Sequence, residues 1–126
     1  MHDYSRLRVW QRVQKLALEI SRDTENLDER VYPAVAENLR LAVTQIATHI
    51  ADGSRQPTPA LFAKSLMQSI ACANTVQKQL YAAHARGIID ESRHVMLDLE
   101  TQEIRRMLYA LRARIYERIN AGKVRT

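Results

Sequence analysis

The chain has little of what most enzymes and secreted domains rely on. Among its 126 residues there is one cysteine, three glycines, three prolines, one tryptophan and one phenylalanine, with no long uninterrupted apolar run. A single thiol, Cys72, forms no internal disulfide and has no C-x-x-C partner for a metal. The nearest following base in sequence, Lys78, is six residues on and off its helical face, so Cys72 reads as a small half-buried apolar residue rather than a nucleophile. Scarce glycine leaves no phosphate-cradling loop and little material for a strained catalytic turn; no H-E-x-x-H and no Ser/His/Asp pattern appears. The N-terminus carries charge from Asp3 onward, which is unlike a signal peptide, and no stretch is long and apolar enough for a membrane span, so a cytoplasmic protein is expected.

What is present is amphipathic and helical. Hydrophobic residues make up 46% and charged residues 26% of the chain, the composition of one globular domain covering residues 1–126. Ser5 is expected to cap a first helix carrying Val9, Val13, Leu16, Ala17 and Ile20 at helical spacing. A polar connector over residues 23–32 leads to Pro33, placed in the first turn of a second helix that buries Val35, Leu39, Ala42, Val43, Ile46 and Ile50 and ends at Asp52-Gly53. Thr58 as N-cap and Pro59 at the first helical position open a third helix with Phe62, Leu66, Ile70, Ala73, Val76 and Leu80 inward. Gly87 stops it, Ile88 and Ile89 fold back as an apolar plug, and Asp90 caps a fourth helix running to about Gly122. Short connections make sequential helices antiparallel neighbours, so the expected fold is all-α, an up-down-up-down four-helix bundle.

Net charge is +5 and uneven. Residues 105–126 carry seven basic side chains against Glu117 alone, and residues 1–22 sum to +3, whereas residues 23–32 sum to −3 and residues 90–103 to −4. In the expected topology the basic segments share one end of the molecule. Arg6, Arg8, Arg12 and Lys15 would then lie beside Arg112, Arg114 and Arg118, a candidate nucleic-acid surface in which arginine, the better bidentate phosphate ligand, supplies most of the cations. Arg105, Tyr109, Arg112 and Tyr116 form a second feature, a stripe flanking the core positions Ile104, Leu108, Leu111 and Ile115. Basic residues interleaved with aromatics suit phosphate contact with base stacking, and equally suit a subunit interface. No cofactor is expected. A di-iron bundle needs Glu-x-x-His on two helices, and only Glu91-Ser92-Arg93-His94 fits; His49 and His84 stand near helix ends, where histidine serves the dipole.

Two signatures carry a family resemblance: the opening Tyr4-Ser5-Arg6-Leu7-Arg8-Val9-Trp10, and Ile46-Ala47-Thr48-His49-Ile50-Ala51-Asp52-Gly53 at the end of the second helix. Over about residues 4–116 the chain resembles the small bacterial four-helix-bundle proteins encoded in intervening sequences of 23S rRNA genes. It departs from that pattern where Arg40 is followed by Leu41, and where Thr75-Val76-Gln77-Lys78-Gln79-Leu80 replaces a more acidic run. The resemblance implies a ring of five subunits and a kinship with accessory proteins of diversity-generating retroelements, which bind nucleic acid. The functional expectation is a non-enzymatic homopentamer contacting RNA or another nucleic acid through its basic end. The alternative is a self-assembling or protein-binding scaffold that has no nucleic-acid role.

Overall fold

The computed structural model describes residues 3–27 and 34–125, with side chains through residue 122. All regular structure among these residues is helical: a 3-10 turn over Tyr4–Arg6, then α1 (Arg8–Thr24), α2 (Val35–Ser54), α3 (Pro59–Ala85) and α4 (Glu91–Arg125), with no strand. Pro33 and the second half of the connector before it, residues 28–32, lie outside the described residues. α1 packs on α2 and α4, and α3 on α2 and α4, with no close backbone approach across either diagonal among the described residues.

The apolar spacing in the sequence is the cause of that arrangement. Val13, Leu16 and Ile20 on α1, Leu39, Ile46 and Ile50 on α2, Leu66, Ile70 and Leu80 on α3, and Leu97, Ile104 and Leu108 on α4 are all essentially removed from solvent in one core. Burying each such side chain contributes about 1.5–3 kcal/mol, which makes this face the main source of stability. Val35, Ala17 and Leu111 only border the core, and Trp10 is half-buried, its ring meeting Tyr4 edge-on at 5.4 Å. Few polar groups are buried, and each described one among the hydroxyls is satisfied. Ser69 Oγ donates across to the α2 carbonyl of Ile46 at 3.0 Å, while Thr24 and Thr101 return their hydroxyls to carbonyls four residues back.

Helix ends follow the local chemistry in most places. Thr58 Oγ1 accepts from Leu61 N at 3.2 Å with Pro59 next to it, and Asp90 Oδ1 accepts from Arg93 N at 2.8 Å. Gly87 adopts φ 75°, the left-handed geometry that lets the chain turn after α3, and Ile89 is buried just beyond it. Two expected ends differ. Ser5 is not the cap of α1: it sits inside the 3-10 turn, where its amide and hydroxyl both donate to Asp3 Oδ1, and α1 starts at Arg8 without a side-chain cap. Asp3 wins because its carboxylate is the stronger acceptor and lies directly ahead of the turn.

Gly53 does not end α2 either; the helix continues through it to Ser54. A Cβ at position 53 would stand 2.6 Å from Ser65 Cβ and 2.9 Å from Phe62 Cδ1, so glycine is required here for the close approach of α2 to α3. Paired contacts run in opposite chain order on each side of the bundle. Residue 40 meets 24 and residue 55 meets 4; residue 46 meets 69; residue 77 meets 98 and 74 meets 105; residue 12 meets 100 and 23 meets 93.

Two alanine substitutions separate helix propensity from packing. Gly122 is on α4 with nothing within 4 Å of an added Cβ, so Gly122→Ala is expected to be neutral or to stabilise by up to about 1 kcal/mol. Gly53→Ala gains the same propensity but is expected to destabilise by about 1–3 kcal/mol through overpacking, measured as denaturant midpoints with unchanged far-UV dichroism.

Candidate nucleic-acid interface

α1 has 17 residues and α4 has 35, so at about 1.5 Å per residue α1 can cover only half of its neighbour. The covered half of α4 is seamed by ion pairs. Arg93 donates to Glu19 at 2.9 Å and to Asp23 at 2.7 Å, joining α4 to two turns of α1. One helical stretch further, Arg12 grips Glu100 through two bonds, Nε to Oε1 at 2.7 Å and Nη2 to Oε2 at 2.8 Å. The hydrogen bonds from Arg12 hold the Glu100 carboxyl below its ordinary range, and those to Asp23 and Glu19 push the Arg93 guanidinium up. Arg12 is therefore committed to Glu100. Lys15 lies beside the same carboxylate, lining a shallow cleft with Glu19 and Met96.

Beyond this seam the 3-10 turn and the first turn of α1 face the stretch of α4 from residue 106 to 114, and between them opens a groove of about 500 Å³. Four arginines line it: Arg6 and Arg8 on one side, Arg106 and Arg114 on the other. Its floor is aliphatic, made by Leu7, Val9, Met107, Ala110 and Leu111. Arg6 stands 3.7 Å from Asp3, and Arg106 is held in a two-bond pair by Glu103, one helical turn back. Arg8 and Arg114 are exposed and make no ion pair among the described residues.

The remaining arginines of the expected surface are distributed differently. Arg118 is exposed over a small apolar cleft between the end of α2 and the start of α3, beside Thr58 and Phe62. Arg105 reaches across to α3, where its Nη1 donates to Asn74 Oδ1 at 2.8 Å and to Gln77 Oε1. Arg112 is half-buried on the side of α4 away from the groove, its guanidinium 4.8 Å from the centroid of the Tyr116 ring, with Nε buried and without a hydrogen-bond partner among the described residues. Tyr109 and Tyr116 are 48% and 38% exposed, so the stripe does flank the core as its spacing predicts. The structure thus brings Arg6, Arg8 and Arg114 together, ties Arg12 and Arg105 to neighbouring helices, and sets Arg112 apart.

Arg106 escaped the sequence reading, although its signal was present: residues 106, 110 and 114 repeat every four, with Met107 and Leu111 alongside. Arg55 was also passed over; it lies 5.1 Å from the Tyr4 ring centroid, a cation held on the opening signature. Burial pushes the Cys72 thiol up, away from thiolate chemistry. Among the described residues no three His, Cys, Asp or Glu side chains are grouped to hold a metal ion, and no helix is long and apolar enough to cross a membrane. His84 and His94 stack at 4.7 Å, with His84 Nδ1 3.2 Å from the carbonyl of Ile89, which makes them part of the α3 to α4 turn.

These features define an all-helical bundle protein with an arginine-lined groove at one end. Residues 5–110 match the sequence model of the 23S rRNA-intervening sequence protein family, and the chain belongs to that family. No curated protein matches it.

The Arg12 and Glu100 pair gives a pH-dependent prediction. Because the folded carboxyl titrates below its unfolded value, the pair adds stability above about pH 4.5 and loses it as pH falls through the lowered value. Both side chains are about one-third exposed, so Glu100→Gln should cost only about 0.5–1 kcal/mol near neutral pH. In parallel urea melts the difference from the parent should shrink towards zero in acid; a constant difference across pH would show that the pair is not responsible.

Proposed function

We propose that this chain is a non-enzymatic, cytoplasmic homo-oligomer, an up-down-up-down antiparallel four-helix bundle that contacts RNA or another nucleic acid through its arginine-lined end. The observation that carries the reading is the convergence of Arg8 and Arg114, unpaired among the described residues, with Arg6 and Arg106 on one groove. Guanidinium groups without a carboxylate partner retain their full attraction for phosphate, and arginine offers it two parallel N–H bonds. The family's name associates it with intervening sequences of 23S rRNA, and the kinship with retroelement accessory proteins implied by the sequence signatures belongs to the same reading. The antiparallel topology is supported by the opposed chain order of the paired contacts on each side of the bundle.

Arg118 extends the same end, whereas Arg12 and Arg105 hold helices together and Lys15 neighbours Glu100, so these three contribute mainly to the fold. If the groove binds phosphates, log affinity falls linearly with log salt, with a slope of about 0.7 per contact for a single strand or 0.9 for duplex DNA. Changing Arg8 and Arg114 together to Ala should lower that slope by about two contacts' worth while helical content stays constant. Arg105→Ala should leave the slope unchanged. An unchanged slope in the double variant, or no RNA binding by the parent at low salt, overturns the nucleic-acid reading.

A second reading, the self-assembling scaffold, is favoured by a specific surface. Tyr81, at 69% exposure, and Met67 on α3, with Val95, Leu99, Tyr109 and Tyr116 on α4, leave apolar and aromatic area open to solvent. Soluble monomers seldom keep such area uncovered, and tyrosine is enriched where subunits meet. Assembly belongs to both readings, with five subunits the number that the resemblance implies. Light scattering after size exclusion should give a mass several times 14.5 kDa at micromolar concentration, and a clean monomer would remove assembly from both.

A further inference from the structure

The groove between the 3-10 turn and α4 has a composition that a duplex does not require. A duplex presents a convex surface of phosphates and sugars, with its bases stacked inward. Laid on this groove it would satisfy the arginine rim but press charged oxygens towards Leu7, Met107 and Leu111, which offer them no hydrogen bond. An unpaired nucleotide matches both parts. Its base is a flat, weakly hydrated surface that an aliphatic floor can cover, and a methionine thioether packs well against a π face. The phosphates on either side of that base then meet Arg8 and Arg114 from opposite walls.

We infer that the groove takes a single-stranded segment of nucleic acid, with a base on the floor of Met107, Ala110 and Leu111 and the flanking phosphates on the arginine rim. The inference rests on the nucleic-acid reading above. It also sets the kind of recognition. The floor carries no amide, hydroxyl or carboxylate to read the donors and acceptors of a base edge, so binding is tolerant of sequence. The charge is modest, because Asp3 and Glu103 offset Arg6 and Arg106 and leave Arg8 and Arg114 as the groove's cations without an ion pair among the described residues. With so small an electrostatic contribution, the base contact becomes a large part of the affinity. Preference for a single strand is then opposite to what charge density alone would give, since duplex DNA concentrates more phosphate per unit length.

Fluorescence anisotropy on the full chain at low salt tests this with labelled probes of about a dozen nucleotides: an RNA strand, a DNA strand, the duplex of each, and an abasic DNA strand. Each intact single strand is expected to bind about fivefold or more tightly than its duplex, and the DNA strand to exceed its abasic counterpart by a similar factor at equal salt slope. The tighter of the two single strands identifies the sugar. Ala110→Leu, at an exposed position where leucine is a good helix former, narrows the groove without changing charge. It should erase the advantage of the intact strand and leave abasic binding as it was. Equal affinity for intact and abasic strands, or tighter binding of duplexes, overturns the inference while the phosphate reading stands. Absence of binding by every probe overturns both.

Discussion

The inequality in length between α1 and α4 is the constraint on which the rest of the molecule turns. A helix of 17 residues lies along one of 35, so α4 has a half with a full set of neighbours and a half without. In the first half every requirement of a bundle is met: Leu97, Ile104 and Leu108 are buried, and the polar edge is closed by Arg93 with Glu19 and Asp23 and by Arg12 with Glu100. Past residue 106 only the 3-10 turn and the first turn of α1 remain on that side, and they leave Met107, Ala110 and Leu111 lining an open groove. The groove is the space left by that shortfall.

Charge follows the same division. α4 carries its carboxylates early, at Glu91, Asp98, Glu100 and Glu103, and has only Glu117 beyond them. Arg12, facing the first half, therefore finds Glu100 within reach, and Arg93 within that half turns to Glu19 and Asp23 of α1. Further along α4, Arg106 has only Glu103 one turn behind it, and Arg114 makes no ion pair among the described residues. Exposed single ion pairs contribute little to stability, but they remove a guanidinium from competition for other anions. Pairing within the fold thus decides which of the many arginines stay available, and it does so by position along α4 rather than by residue type.

Much of the fold was legible from residue spacing because burial in a helix leaves a periodic trace. Leu16, Ile46, Leu66 and Ile104 recur with their neighbours at helical intervals, and Thr58, Pro59, Gly87 and Asp90 are local signals of where a helix starts or stops. Gly53 was misread for a physical reason. Glycine at a helix end and glycine at a close helix crossing are the same residue with different uses, and only the position of Ser65 on another helix tells them apart. Ser5 was misread because Asp3, a stronger acceptor two residues earlier, takes its amide.

The site was legible in part, and the limit is the register between helices. That α1 opens and α4 closes in arginine-rich stretches can be counted from the sequence, but whether Arg12 meets a phosphate or Glu100 depends on a contact 88 residues apart in the chain. A shift of one turn would exchange its partner. The stripe of Arg105, Tyr109, Arg112 and Tyr116 illustrates the same limit: its angular position was correct, yet Arg105 is spent on Asn74 and Gln77, and Arg112 lies over Tyr116. Arg106 shows the converse, since a four-residue repeat with Ala110 and Arg114 gains meaning only when a second wall stands opposite. Arg6 and Arg8 supply that wall where the 3-10 turn passes into α1, and Asp3 fixes the turn through Ser5. The opening signature thus does structural work first: it places Arg8, which makes no ion pair among the described residues, opposite the stretch of α4 that carries Arg114, while Arg6 stays beside Asp3.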